Sequence, residues 1–147
     1  MKIDENTIAI IRHLREGRKS FRKIADDLSI TENTVRTRVN KLINAGILDI
    51  CGLVNPEVIE KIKPAIIGVK LKTTDMFKKG EEFSKLRGIV SVSVVTGRFD
   101  LMLLILFNSD YGLQNFYAEE VIGIKDVQSL ETFVIYKSYN LKVPYIH

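Results

Sequence analysis

Between Glu32 and Lys41 the chain carries Asn33, Thr34, Arg36, Thr37, Arg38, Asn40 and Lys41, with no acid after Glu32. Asn, Thr, Arg and Lys are the side chains that hydrogen-bond base edges in a major groove and the phosphate oxygens beside it. Just upstream, Ser20, Arg22 and Lys23, with Arg18 and Lys19, supply the hydroxyl and cationic groups that suit phosphates. The same run also fits any solvated helix face, on a plain bundle or a protein-docking module. Arg38 suits a phosphate, a base or a brace within the fold.

Other chemistry is thin. The one cysteine, Cys51, excludes an internal disulfide and a Cys-based zinc site, and is expected to be a small, partly buried hydrophobe. His13 and His147 stand at opposite ends of the sequence without a ligand pattern, so neither a metal nor a cofactor is expected. Asp100, Arg98 and Glu131 are the polar actors a metabolite-binding protein or small enzyme would use. No nucleophile–base pair or phosphate loop accompanies them, and no enzymatic activity is expected. An RNA-binding reading lacks the aromatic-rich strand signature it needs.

These residues need elements to hold them. Ile3, Thr7, Ile10, Ile11 and Leu14 mark one face of a first helix, which Gly17 ends. Ser20 is a suitable N-cap for a second helix, where Phe21, Ile24, Ala25 and Leu28 repeat at helical spacing. After a break at Ser29-Ile30, Thr31 caps a third helix with a buried stripe of Val35, Val39, Leu42 and Ile43, closed by Ala45-Gly46. Two helices separated by about three residues have helix-turn-helix spacing, with the second helix toward the groove.

Asn55-Pro56 reads as a boundary, with Glu57–Lys63 a short helix or turn before Pro64. Beyond it the periodicity changes. A strand is predicted over 65–73, a helix over 75–87, strands over 89–96 and 99–108 joined by a Gly97-Arg98 turn, a helix over 110–122 and a strand over 126–139. The chain is therefore expected to be α+β: an N-terminal winged or helix-turn-helix three-helix domain plus a C-terminal ferredoxin-like βαββαβ sandwich. The expected division is 1–52, a linker over 53–64, and 65–147. Leu101–Phe107 is apolar at all seven positions. Both faces of that strand should then be covered, and self-association is the simplest cover.

Composition agrees with a folded, weakly basic protein: 46% hydrophobic, 27% charged, net charge +4 over 147 residues. Residues 1–52 hold ten Lys or Arg against seven Asp or Glu, so +3 of the +4 lies in the part with the candidate helix-turn-helix. Met1–Glu5 turns polar where a signal peptide would become apolar, and seven apolar residues fall far short of the ~20 that span a bilayer. A soluble, cytoplasmic protein with no membrane partner is expected.

Ile24-Ala25-Asp26-Asp27-Leu28-Ser29 through Thr34-Val35-Arg36-Thr37-Arg38-Val39-Asn40-Lys41-Leu42, then Ala45-Gly46-Ile47-Leu48, resembles the helix-turn-helix of Lrp/AsnC regulators, with Arg38-Val39 at that family's Arg-Val pair. Val54-Asn55-Pro56 is similar to its linker step, and Val95-Thr96-Gly97-Arg98-Phe99-Asp100-Leu101-Met102 to its "VTG.yD" turn. The resemblance covers essentially the whole chain. It implies a transcription regulator bound to double-stranded DNA, acting as a homodimer or higher even oligomer. It also implies an amino acid or related small-molecule effector held between sensing domains. Thr96, Gly97, Arg98, Phe99 and Asp100 would then form an effector-proximal loop; Gly97 also suits a tight turn, and Asp100 a turn cap, whatever the loop binds.

Overall fold

Three side-chain oxygens open the three N-terminal helices. In the computed structural model, which describes residues 3–59 and 62–145, Asp4 accepts from the Thr7 N–H at 2.8 Å, Ser20 from Lys23 at 3.2 Å and Thr31 from Thr34 at 3.1 Å. They start α1 (Glu5–Leu14), α2 (Phe21–Leu28) and α3 (Glu32–Asn44). Each such cap contributes about 1 kcal/mol by satisfying an amide that the helix leaves open. Ser29 takes the left-handed conformation (φ 53°) that ends α2 and turns the chain toward α3. Met1, Lys2 and His147 lie outside the described residues.

Ile10, Ile24, Ala25, Val35 and Val39 form the core of this unit, flanked by Leu14, Phe21, Leu28, Ile30 and Leu48. Leu42 is buried as predicted, but Ile43, expected beside it, is 40% exposed. Successive helical residues point about 100° apart, so Leu42 and Ile43 do not share one inward direction. Cys51, expected to be partly buried, is exposed.

The chain divides into two compact units, Met1–Cys51 and Gly52–His147. In the second, β2 (Lys63–Leu71), β3 (Ile89–Val94), β4 (Leu101–Phe107) and β5 (Val127–Val134) form an antiparallel sheet in the order β3-β4-β2-β5. With α4 (Met76–Ser84) and the helical stretch from α5 (Leu113–Asn115), this is the βαββαβ arrangement. Past α5 the backbone widens into a π turn at Phe116–Glu120 and tightens into a 3₁₀ turn at Val121–Gly123. Ala65, Ile67 and Val69 of β2 and Leu101, Leu103, Ile105 and Phe107 of β4 pack on one face against Phe83, Phe116 and Tyr111. Burying each large aliphatic or aromatic side chain of this kind contributes about 1.5–3 kcal/mol.

Two expectations change here. The stretch predicted as a linker, 53–64, belongs to the second unit. β1 (Leu53–Val54) pairs with β6 (Val143–Pro144), while Ile59 and Ile62 pack with Leu106 and Val143. The strand expected over 126–139 is β5, which ends at Val134 rather than Tyr139. Glu57 takes hydrogen bonds from the Ser138 N–H (2.6 Å), the Ser138 hydroxyl (3.1 Å) and the Lys137 ammonium, drawing residues 137–138 to the 55–59 turn.

Alternation along β4 and register across the sheet put Ile66, Gly68, Met102 and Leu104 on the face away from the helices. Met102 and Leu104 are only half-buried there, while Leu106 is covered by Ile62 and Val143. The uniformly apolar strand therefore has one fully covered face and one partly open face. No helix among the described residues is long and apolar enough to cross a membrane.

Candidate nucleic-acid interface and sensing loop

Because α3 buries Val35, Val39 and Leu42, its opposite face must carry Asn33, Arg36, Thr37, Asn40 and Lys41, and all five are exposed. Asn33, Thr37, Asn40 and Lys41 make no side-chain hydrogen bond or ion pair among the described residues, and neither does Arg22 at the start of α2. Arg36 pairs with Glu32 one turn earlier (2.7 Å) and stands 5.6 Å over the Phe21 ring. Both partners of that ion pair are well exposed, so water and salt compete with it. Ser20 and Thr34 are partly committed: the Ser20 oxygen caps α2, and the Thr34 hydroxyl meets that of Thr31 at 2.8 Å.

Arg38 faces elsewhere. Its Nη1 lies 2.6 and 2.7 Å from the two oxygens of Asp4 and 2.7 Å from the Thr7 hydroxyl. The Arg38 guanidinium and the Thr7 hydroxyl and amide hold the Asp4 carboxyl far below the usual carboxylate range. Lys19 also turns inward, with its ammonium 2.6 Å from Asp27 and 2.7 Å from His13 Nδ1. Asp27 is thereby held low by Lys19 first. Nothing local in the sequence announces the Asp4–Arg38 pair, whose members lie 34 residues apart.

The second region is the connection from β3 to β4. Asp100 Oδ2 accepts the Leu71 N–H at 2.8 Å, and Oδ1 accepts from the Lys70 ammonium at 2.8 Å. The amide first, and the ammonium second, lower the Asp100 carboxyl below its ordinary range. Asp100 thus satisfies the backbone of β2, where its pairing with β5 shifts register at Lys70/Leu71, rather than capping its own turn. Phe99 lies over Gly68 and edge-on to Phe133, 6.0 Å between ring centres. A Cβ at Gly68 would sit 2.7 Å from three atoms of the Phe99 ring. Arg98 pairs with Glu131 and crosses the Phe99 ring at 5.5 Å. Gly97, at φ 125°, takes a backbone conformation that other residues rarely adopt, while Thr96 and Gly97 are exposed.

Three of the five loop residues predicted from sequence are thus engaged with the sheet. Of their partners, Glu131 stands among the polar residues singled out from sequence, while Lys70, Gly68 and Phe133 carry no local signal that ties them to the loop. Beside this loop, on the open sheet face, Ile66, Met102, Leu104, Ile135, Tyr139 and Leu141 help line a groove of about 570 Å³. Among the described residues no group of three or more His, Cys, Asp or Glu is placed to hold a metal.

Known proteins resemble this chain in both of its units. A family model described as Lrp/AsnC ligand binding domain matches residues 64–143, and one described as winged helix-turn-helix DNA-binding matches residues 3–49. An uncharacterized HTH-type transcriptional regulator of Pyrococcus abyssi is 30% identical over 137 residues, covering 92% of this chain and 87% of its own. Among solved structures, E. coli AsnC superposes with a TM-score of 0.70 at 21% identity, over 96% of this chain and 97% of that one. A transcriptional regulator from Neisseria meningitidis in complex with L-Met gives 0.70 at 21% identity, over 99% and 97%. The last two likenesses are of fold.

Proposed function

This chain belongs to the Lrp/AsnC family of DNA-binding transcription regulators, and from that premise we propose how its own residues do the work. The exposed stripe of α3 enters the major groove. Asn33, Arg36, Thr37, Asn40 and Lys41 are the groove-facing and phosphate-facing set, with Ser20, Arg22 and Thr34 at its edge. The observation that carries this reading is that the stripe is exposed, polar and cationic, and spends little of its hydrogen-bonding capacity within the fold. Its cations supply sequence-independent affinity by releasing counterions, and its Asn and Arg groups supply base discrimination.

The sensing domain acts as dimeriser and switch in this proposal. Met102, Leu104 and Ile66 leave an apolar sheet face only partly covered, and pairing two such faces would remove it from water. A homodimer or higher even oligomer then carries two α3 helices about 34 Å apart, matching an imperfect palindrome. The effector is an amino acid or related metabolite received at the Thr96–Asp100 connection, chiefly through Thr96 and Gly97 and the neighbouring backbone. Arg98, Phe99 and Asp100 shape the loop. Such a ligand changes DNA binding only by favouring one assembly or arrangement over another. Family membership supports a regulator rather than an enzyme, and the workplace we propose is the cytoplasm.

The test is binding of the full chain to an operator that it selects from a random-sequence DNA library, measured across a salt series. L-Met and a mixture of the other amino acids serve as the first effector probes. Selective, salt-sensitive binding that weakens when Arg36 and Lys41 are changed to Ala is expected. Equal affinity for operator and random DNA, unaffected by those changes, would refute the α3 assignment.

A further inference from the structure

Of the two arginines of α3, Arg36 joins its outward stripe and Arg38 does not. Arg38 projects to the flank of α3, where its Nη1 meets both Asp4 oxygens and the Thr7 hydroxyl within 2.7 Å. Asp4 is itself the N-cap of α1, accepting the Thr7 N–H at 2.8 Å and the Thr7 hydroxyl at 2.7 Å. Thr7 is 5% exposed and lies one turn from the core residue Ile10. Three residues thus form a closed hydrogen-bonded ring that ties the middle of α3 to the first turn of α1.

We infer that Arg38 is a positioning residue for DNA reading rather than a DNA contact: with Asp4 and Thr7 it fastens the recognition helix to α1 and sets the angle at which the outward stripe meets the groove. This rests on the reading of α3 as the DNA-contacting helix. Charge favours it. Moving Arg38 onto a phosphate would strip Asp4 of its counter-charge and bring a bare carboxylate toward a polyanion. Geometry favours it too. Asn33, Arg36, Thr37, Asn40 and Lys41 move with α3 as one body, so a small tilt displaces every contact together. Of the rest of the helix-turn-helix, Lys19 spends its ammonium on Asp27 and His13, tying α2 to the end of α1. Arg38 does the corresponding work for α3.

The test uses the full chain with Arg38→Lys, Arg38→Gln and Asp4→Asn, the last of which keeps a good N-cap while removing the charge. Without DNA, thermal unfolding of Arg38→Gln, Asp4→Asn and their double variant is compared. A double variant no less stable than the weaker single is expected, and strictly additive shifts in Tm would overturn the clamp. With the selected operator, Arg38→Lys is expected to weaken binding by about fivefold or more, the least that one lost base contact is worth. Lysine keeps a charge for a phosphate, but its side chain is one bond shorter and does not place its nitrogen where Arg38 Nη1 meets Asp4 and Thr7. Asp4→Asn should weaken operator binding in the same direction despite removing a negative charge.

The slope of log K against log salt for Arg38→Gln is expected to stay at the wild-type value. A drop of about 0.9, together with full binding by Arg38→Lys, would make Arg38 a phosphate contact and overturn the proposal. Should Arg38→Gln fail to fold, Arg38→Lys and Asp4→Asn carry the comparison. If the wild-type chain selects no operator, α3 as the reading helix fails, and the DNA-free cycle still decides whether the clamp exists.

Discussion

The outer stripe of α3 and the connection between β3 and β4 both carry polar and cationic side chains, yet they use them in opposite ways. On α3, Asn33, Thr37, Asn40 and Lys41 point away from the protein and make no internal bond among the described residues. In the connection, Asp100 is bound by Leu71 and Lys70, Arg98 by Glu131, and Phe99 by Gly68 and Phe133. A helix is held by its own backbone and its buried face, so its outer side chains are left over for a partner. A six-residue connection has no such ladder, and its side chains must do the holding. The lesson is that a motif's conspicuous residues divide into those that touch a partner and those that shape the surface that does.

This contrast can be broken most forcefully at Gly68. Gly68→Val pushes a branched side chain into the Phe99 ring, and overpacking of this kind costs about 1–3 kcal/mol. Urea unfolding followed through the second unit should show that loss. An unchanged midpoint would mean that Phe99 does not hold the connection.

Asp100→Asn is expected to destabilise by leaving the Leu71 N–H and the Lys70 ammonium with a poorer acceptor. The folded carboxyl sits below its ordinary value of 3.8, so its contribution is fully present above that pH and fades as pH falls through the lowered folded value. Wild type and variant should therefore differ in urea midpoint at pH 6 and converge below pH 4. A difference that grows on acidification would contradict the sign of this linkage.

On α3 the expectations reverse. Arg36→Ala or Lys41→Ala should each reduce the salt slope of DNA binding by about 0.9 if it removes one phosphate contact. Their effect on unfolding should be small. Thr37→Ala and Asn40→Ala are expected to leave stability within about 0.5 kcal/mol while altering operator preference, as a selection on random DNA would show. A large loss of stability from any of these would place that residue with the shaping group instead.

Arg38 shows why legibility in sequence was uneven. Its type and its place on the predicted third helix were plain, and so was its neighbour Val39 as a core residue. Whether it faced DNA or the fold depended on Asp4, and no periodicity links residues 34 apart. Asp100 was visible as a turn residue, but the amide it binds belongs to Leu71 on another strand. The linker expectation failed for the same reason, since Leu53–Val54 becomes structured only by pairing with Val143–Pro144 at the far end of the unit.

By itself the sequence determined what short-range chemistry can encode. Caps at Ser20 and Thr31, the i, i+3 and i+4 stripe through Val35 and Val39, alternation along Ile67–Leu71 and the Gly97 turn follow from neighbours within a turn or a pleat. Together with the run resembling Lrp/AsnC regulators, they specified three helices at helix-turn-helix spacing and a βαββαβ domain. The tertiary structure alone decided which polar groups remain for a partner. Asp4 captures Arg38, Asp27 captures Lys19 and Lys70 captures Asp100 only when the folded chain brings them within hydrogen-bonding distance, and direct electrostatic pairing acts over a few ångströms of space rather than along the sequence.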